Sequence, residues 1–131
     1  MFKVFGCGID IENISRFEKH LLPDNQVSDV FKRVFTPREI ELNLKNPREF
    51  FPLGFSTKES FFKSFGLSWT NSALQWTDFE ILFKNPCDFN DFELVLSNHA
   101  QELINENTIL RKDIFLEINE NFVISQVILL M

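Results

Sequence analysis

Tyrosine is missing altogether from this 131-residue chain, and glycine (4), cysteine (2) and histidine (2) are scarce. Without tyrosine there is no phenol to serve as a catalytic acid or base. Cys7 and Cys87 make neither a disulfide framework nor a metal-ligand spacing, so reduced thiols and a cytoplasmic location are the expectation. The same shortage of Cys/His clusters disfavours zinc. Long hydrophobic runs are lacking as well. The longest late one, Val127 to Met131, falls far below the roughly 20 residues of a membrane span, and no secretory signal is visible. Positive charge is in deficit too: the net charge is −6, which argues against a nucleic-acid partner, since such binders carry a basic footprint.

Phenylalanine fills the gap, with 17 residues in a chain that is 44% apolar. That is enough for a sizeable core, and the length suits a single domain over residues 1–131. Charge is unevenly spread. Residues 1–66 hold 10 Lys/Arg against 9 Asp/Glu, whereas residues 67–131 hold 3 against 10. An acidic partner would therefore meet the first half.

Apolar periodicity orders the chain. Phe2 to Ile11 reads as a strand interrupted by Gly6 and Gly8, which mark a bulge or the close approach of another backbone or ligand. Asp10 follows between two isoleucines. A carboxylate there is costly unless it is paired, hydrogen-bonded or bound to a metal; capping the next helix is an equal alternative. Glu12 to Leu22 carries Ile14, Phe17 and Leu21 on one helical stripe, with Arg16, Lys19 and His20 on the other faces. His20 reads as an ordinary surface residue. A further helical stretch runs from Val27 to Val34. Thr36-Pro37-Arg38-Glu39 combines an N-cap, a first-turn proline and a capping-box glutamate, starting a helix that reaches Leu44. Another begins at Pro47, meets an irregularity at Pro52, and continues to Gly66. Ser68 to Gln75 is loop-like. Trp76 to Phe83 and Phe92 to Ser97 read as strands, a short helix follows from Ser97-Asn98 to Asn107, and Ile114–Ile118 with Phe122–Leu130 form a hairpin. Helices in the first half and strands in the second make an α+β domain, with the helices packed on an antiparallel sheet.

Within the helix after Pro47, Lys58, Glu59 and Lys63 form a dense charged cluster among phenylalanines. Glu59 and Lys63 lie four apart on one face, the favoured order for a surface pair worth a few tenths of a kcal/mol, roughly 0.3. The same arrangement suits a carboxylate holding a divalent cation, with lysines facing phosphate. Mg²⁺ asks for one or two carboxylates plus substrate oxygens, and Asp10 is the candidate for the second.

Three segments taken in order carry a resemblance: Gly6-Cys7-Gly8-Ile9-Asp10-Ile11 with Arg16; Val34-Phe35-Thr36-Pro37-Arg38-Glu39; and Phe55-Ser56-Thr57-Lys58-Glu59-Ser60-Phe61-Phe62-Lys63. Together with Trp76 to Ile81 and Phe122 to Val127 they resemble holo-acyl-carrier-protein synthase, the small type of 4′-phosphopantetheinyl transferase, over nearly the whole chain. The resemblance implies that fold, and transfer of the phosphopantetheine arm from coenzyme A to a serine of an apo acyl carrier protein. It implies Asp10 and Glu59 as Mg²⁺ ligands, with Lys63 beside them as the catalytic set. Lys58, Lys63 and Gly66 would bind coenzyme A, and Arg16 and Lys19 the acidic carrier protein. It further implies a homotrimer with active sites between subunits. The attacking serine belongs to the partner, which suits a chain with no Ser-His-Asp set. The chain departs from the family where it reads Gly66-Leu67-Ser68 in place of Gly-Thr-Gly, and at Phe115-Leu116-Glu117-Ile118 followed by Glu120 in place of Ser-x-Ser-His. These departures motivate an alternative, a catalytically impaired relative that binds or assembles carrier proteins.

Overall fold

The computed structural model describes residues 1–66 and 74–131. Strand β1 (Val4–Asn13) opens the chain, and a 3₁₀ helix (Ile14–His20) follows it. A two-residue ladder of β2 (Leu21–Leu22) and β3 (Gln26–Val27) leads into helices α1 (Asp29–Val34), α2 (Pro37–Asn43) and α3 (Pro47–Ser64). A short 3₁₀ turn (Trp76–Asp78) precedes β4 (Phe79–Asn85) and β5 (Asp88–Leu96). Helix α4 (Asn98–Glu106), β6 (Arg111–Ile118) and β7 (Phe122–Leu130) complete the α+β fold. The last strand lies in the middle of the main sheet, in the order β1-β7-β6, all antiparallel. β4 and β5 form a separate hairpin.

Helix α3 is the axis. Twelve of its eighteen residues are buried, because its phenylalanines serve two cores while its other side lies against the main sheet. Phe50, Phe61 and Phe62 pack with Phe79, Ile81, Phe83, Val123 and Val127. Phe51 packs with Phe17, Phe31, Val34 and Phe35. Ring pairs knit the first of these cores, with Phe50 stacked on Phe83 at 4.4 Å and Phe61 on Phe79 at 4.9 Å; such pairs add to plain area burial. One side of α3 lies against β1 and β7. There a Cβ at Gly6 would fall on the Ser64 carbonyl, and one at Gly8 on the Ser60 carbonyl. The two glycines thus mark the approach of a helix backbone.

Local signals held where they were self-contained. Thr36 and Glu39 close the capping box at α2, and Ser97 caps α4. Other expectations need correction. The amphipathic helix expected over 12–22 is instead a strand end at Asn13 and a 3₁₀ helix capped by Asn13, whose side chain accepts from Ser15 N at 3.0 Å. Asp10 therefore caps nothing. Helix α3 runs continuously through Pro52, whose buried ring is held by the surrounding core. Strand β4 begins at Phe79, three residues later than expected, because Asp78 accepts from Gln75 N and Ser97 Oγ and holds a turn there. The loop-like reading of 68–75 falls largely outside the described residues.

Candidate active site

The site grows from the contact of β1 with α3. Alternation on β1 turns Gly8, Asp10 and Glu12 to the face that α3 covers, and Asp10 and Glu12 are only 7% and 8% exposed. Lys63, from the last turn of α3, donates to Asp10 Oδ1 and to the Ile9 carbonyl, both at 3.0 Å. Its side chain remains 48% exposed, so the ammonium bridges the strand and the solvent. Beneath this surface Ser56 donates to the Asp10 carbonyl at 3.2 Å, and its Oγ lies 2.7 Å from Ser125 Oγ. Ser60 Oγ meets the same Ser125 hydroxyl at 2.6 Å. The strand position of Asp10 is thus fixed from the helix and from β7, where Ser125 is its register partner.

Asp10 Oδ2 is buried and makes no hydrogen bond. A buried carboxylate oxygen with no donor is costly, and a cation is the natural group to meet it. Glu59, half-buried on α3, acts electrostatically on Glu12 together with Asp10. Burial first, then the neighbouring Asp10 charge and more weakly Glu59, push the Glu12 carboxyl up to about 7, against the pull of Arg16 and Lys63. This is what crowded acids do before a counter-ion arrives. The donor set is hard oxygen, which fits Mg²⁺. Among the described residues no three His, Cys, Asp or Glu side chains are grouped tightly enough to enclose an ion by themselves. An ion here would draw its remaining ligands from a substrate or water.

Glu12 was not singled out from the sequence. Ending the first strand at Ile11 placed Glu12 on a helix; one more pair of strand residues puts it on the same face as Asp10. The i, i+2 spacing was the available signal.

Lys58 is corrected. Expected beside a diphosphate, it lies fully buried, and its Nζ donates to Glu39 Oε1 at 2.9 Å, to the Trp76 carbonyl at 2.9 Å and to the Phe79 carbonyl. Glu39 is equally buried and accepts in addition from Thr36 N and Ile81 N. Burial drives both groups toward neutrality, Lys58 downward and Glu39 upward, and their mutual attraction opposes it. The reason is rotational. Five helical residues turn the side chain by about 140° between Lys58 and Lys63, so the two ammonium groups point to different sides of α3.

Arg16 lies on the 3₁₀ helix next to this site, 57% exposed, paired with Glu12 Oε2 at 3.2 Å. Its guanidinium rests against the rings of Phe17 and Phe55, at 5.4 and 5.6 Å. Lys19 is exposed on the same short helix. His20 is half-buried, stacked on Phe31 at 4.7 Å with Nδ1 2.8 Å from Ser28 Oγ, so it is part of the packing. Gly66 is exposed at φ +69°, a left-handed position that ends α3; its neighbours Leu67 and Ser68 lie outside the described residues. On β6, Leu116 points inward, while Phe115 and Glu117 face out from the sheet.

Comparison with known proteins gives one consistent picture. A family model described as "4'-phosphopantetheinyl transferase superfamily" matches residues 6–125. A holo-acyl-carrier-protein synthase from Geobacter sp. (strain M21) is 35% identical over 105 residues, covering 79% of each chain. The solved holo-acyl-carrier-protein synthase of Neisseria meningitidis superposes with a TM-score of 0.76 at 21% identity, covering 97% of this chain and 98% of that one. The Helicobacter pylori synthase, solved in complex with coenzyme A, gives 0.69 at 21% identity over 94% and 98%. The structural likenesses speak for the fold.

Proposed function

This chain belongs to the 4′-phosphopantetheinyl transferase superfamily and is an enzyme of the holo-acyl-carrier-protein synthase type, and from that premise we propose that it transfers phosphopantetheine from coenzyme A to a serine of an apo acyl carrier protein with Mg²⁺ as cofactor. The observation that carries the magnesium reading is the buried Asp10 Oδ2 without a hydrogen-bond donor, on a strand face that also carries Glu12 and is covered by the helix of Glu59.

In this reading Asp10 and Glu59 hold the ion, which when bound neutralises charge on the diphosphate oxygens. Lys63, anchored to Asp10 but open to solvent, adds an ammonium where negative charge develops on phosphate. The serine oxygen of the carrier bonds to phosphorus as the diphosphate P–O bond breaks, the nucleotide portion of coenzyme A leaves on that oxygen, and the hydroxyl proton passes to solvent. The core of α3 holds Glu59 and Lys63 on rigid backbone, so positioning is supplied before substrate arrives. Lys58 contributes to that rigidity through Glu39 and not through phosphate. Arg16 and Lys19 form the docking side for an acidic carrier protein, and Gly66 borders the coenzyme A side. A cytoplasmic location accompanies the reading; among the described residues no helix is long and apolar enough to cross a membrane.

Self-assembly belongs to the same reading. The face of the main sheet away from α3 presents Ile9, Ile11, Phe115 and Ile124 at 37–58% exposure. Ile11 is paired with Ile124 across β1 and β7. A second and third copy of the chain would cover this apolar face, giving a homotrimer with sites between subunits.

The test is intact-mass measurement of an apo carrier protein incubated with the chain, coenzyme A and Mg²⁺. Addition of the phosphopantetheine mass, lost with chelator and cut by on the order of a hundredfold or more in Glu59→Gln, is expected. Transfer that survives both chelation and Glu59→Gln would remove the magnesium reading. Absence of transfer to every carrier protein of the same organism would remove the transfer itself.

A further inference from the structure

Glu12 stands between two places that the proposed reaction uses separately. On one side it shares the covered face of β1 with Asp10, and the charges of Asp10, Glu59 and Lys63 all reach it. On the other side its Oε2 accepts from Arg16 Nη1 at 3.2 Å. Arg16 is held there by Glu12 and by the faces of Phe17 and Phe55, yet more than half its side chain is open to solvent. A guanidinium carries five N–H donors, so a carboxylate from a partner can take up the open side. As it does, the hold of Arg16 on Glu12 weakens, because the two carboxylates share one positive charge.

The nearly buried Glu12 carboxylate then keeps Lys63 as a positive neighbour but has lost part of the balance that Arg16 gave it. The nearest remedy is a cation on the neighbouring Asp10, whose Oδ2 already lacks a donor. We propose that Glu12 couples the two sites: Arg16 and the divalent cation compete for its carboxylate, so that docking of an acidic carrier protein on Arg16 strengthens cation binding. Thermodynamic reciprocity requires that the cation strengthen docking by the same factor. The inference rests on the magnesium and carrier readings above and adds to them a residue that orders the two events.

The acidic surface of a carrier also attracts cations through its general field, and the experiment must separate that from Glu12. Mn²⁺ serves as the probe, titrated by electron paramagnetic resonance of the free ion. The full chain is used with coenzyme A present, with and without a carrier protein whose acceptor serine is replaced by alanine. In the wild type, Mn²⁺ affinity should rise on the order of fivefold with carrier, at the low end for linked sites. In Glu12→Gln, nearly the same size and shape, that rise should vanish, while the general field of the carrier is unchanged. Arg16→Gln reaches the same claim from the other side: it weakens carrier binding, yet without carrier its Mn²⁺ affinity should already stand near the carrier-bound wild-type value.

An equal rise in wild type and Glu12→Gln overturns the coupling, as does no rise in the wild type. Asp10→Asn separates this from failure of the functional reading. Loss of Mn²⁺ binding in Asp10→Asn together with equal rises in wild type and Glu12→Gln removes the coupling alone. Undiminished Mn²⁺ binding in Asp10→Asn removes the cation site and the coupling with it.

Discussion

Two lysines five residues apart on one helix have opposite fates, and the difference sets what each substitution does. Lys58 satisfies three acceptors in the core, and Glu39 is left with an unpaired buried charge if it is removed. Lys58→Met should therefore lower unfolding free energy by about 3–5 kcal/mol, read as a shift in the denaturant midpoint, and the added change Glu39→Gln should recover a large part of it. Lys63→Met removes a donor from the nearly buried Asp10 carboxylate of β1, so it should lower turnover and also cost stability, though less than Lys58→Met because the Lys63 side chain is half exposed. The exposed Arg38 and half-buried Glu80 give the pH dependence. Burial works against the Glu80 charge, but hydrogen bonds from Arg38, at 2.5 Å, and Thr36, at 2.6 Å, outweigh it and hold the carboxyl below its usual range. A depressed acid favours the folded state above its unfolded value near 4.5, and that contribution is lost as pH falls through the lower folded value. Acid unfolding of Glu80→Gln should accordingly show a flatter stability curve below pH 4.5 than the wild type, with reduced stability at neutral pH.

At the level of elements, the seam between β1 and α3 decides the site. Gly6 and Gly8 let the helix backbone touch the strand, and the hydroxyls of Ser56, Ser60 and Ser125 close the gap. Gly8→Ala places a methyl on the Ser60 carbonyl and close to Ser64 N, backbone atoms that cannot move aside individually. It should cost about 1–3 kcal/mol, the range for overpacking, measured by thermal unfolding. Because Asp10 and Glu59 sit on the two elements being pushed apart, turnover should fall more steeply than stability when assayed well below the melting point. The glycine spacing was legible in sequence as a close approach; that the approaching group is α3 was not, since nothing local distinguishes a helix from a ligand.

For the whole molecule, the uncovered sheet face is the feature to test. Apolar side chains at Ile9, Ile11, Phe115 and Ile124 are exposed on one face across three strands, with Gln126 and Glu117 among them, the kind of surface that marks an association site. Ile11→Glu should convert the assembled protein to a smaller species in light scattering. Its fold should persist, because the side chain makes no part of either core. If the sites lie between subunits, activity should fall with the loss of assembly and depend on protein concentration. A variant that remains assembled and active would place the interface elsewhere.

Sequence by itself determined the parts that are written locally. The Thr36 capping box, the Ser97 cap, the closing hairpin and the α+β order each depend on residues within a few positions of one another, so their chemistry is complete in a short window. The Asp10–Glu59–Lys63 set was offered by residue type and spacing beside a plain surface pair, and motif resemblance gave it its roles. The tertiary structure decided which face of each element is covered. The phenylalanines of helix α3 cover an arc of about 140°, with Lys58 inside it and Lys63 outside, so helical phase could separate the two lysines, but it could not name Glu39 as the partner of one or Asp10 as the partner of the other. In the same way, a strand extended by two residues brought Glu12 beside Asp10. Burial is a property of what packs against an element, and that partner is distant in sequence: residues 39, 79 and 125 complete what residues 10, 58 and 60 begin.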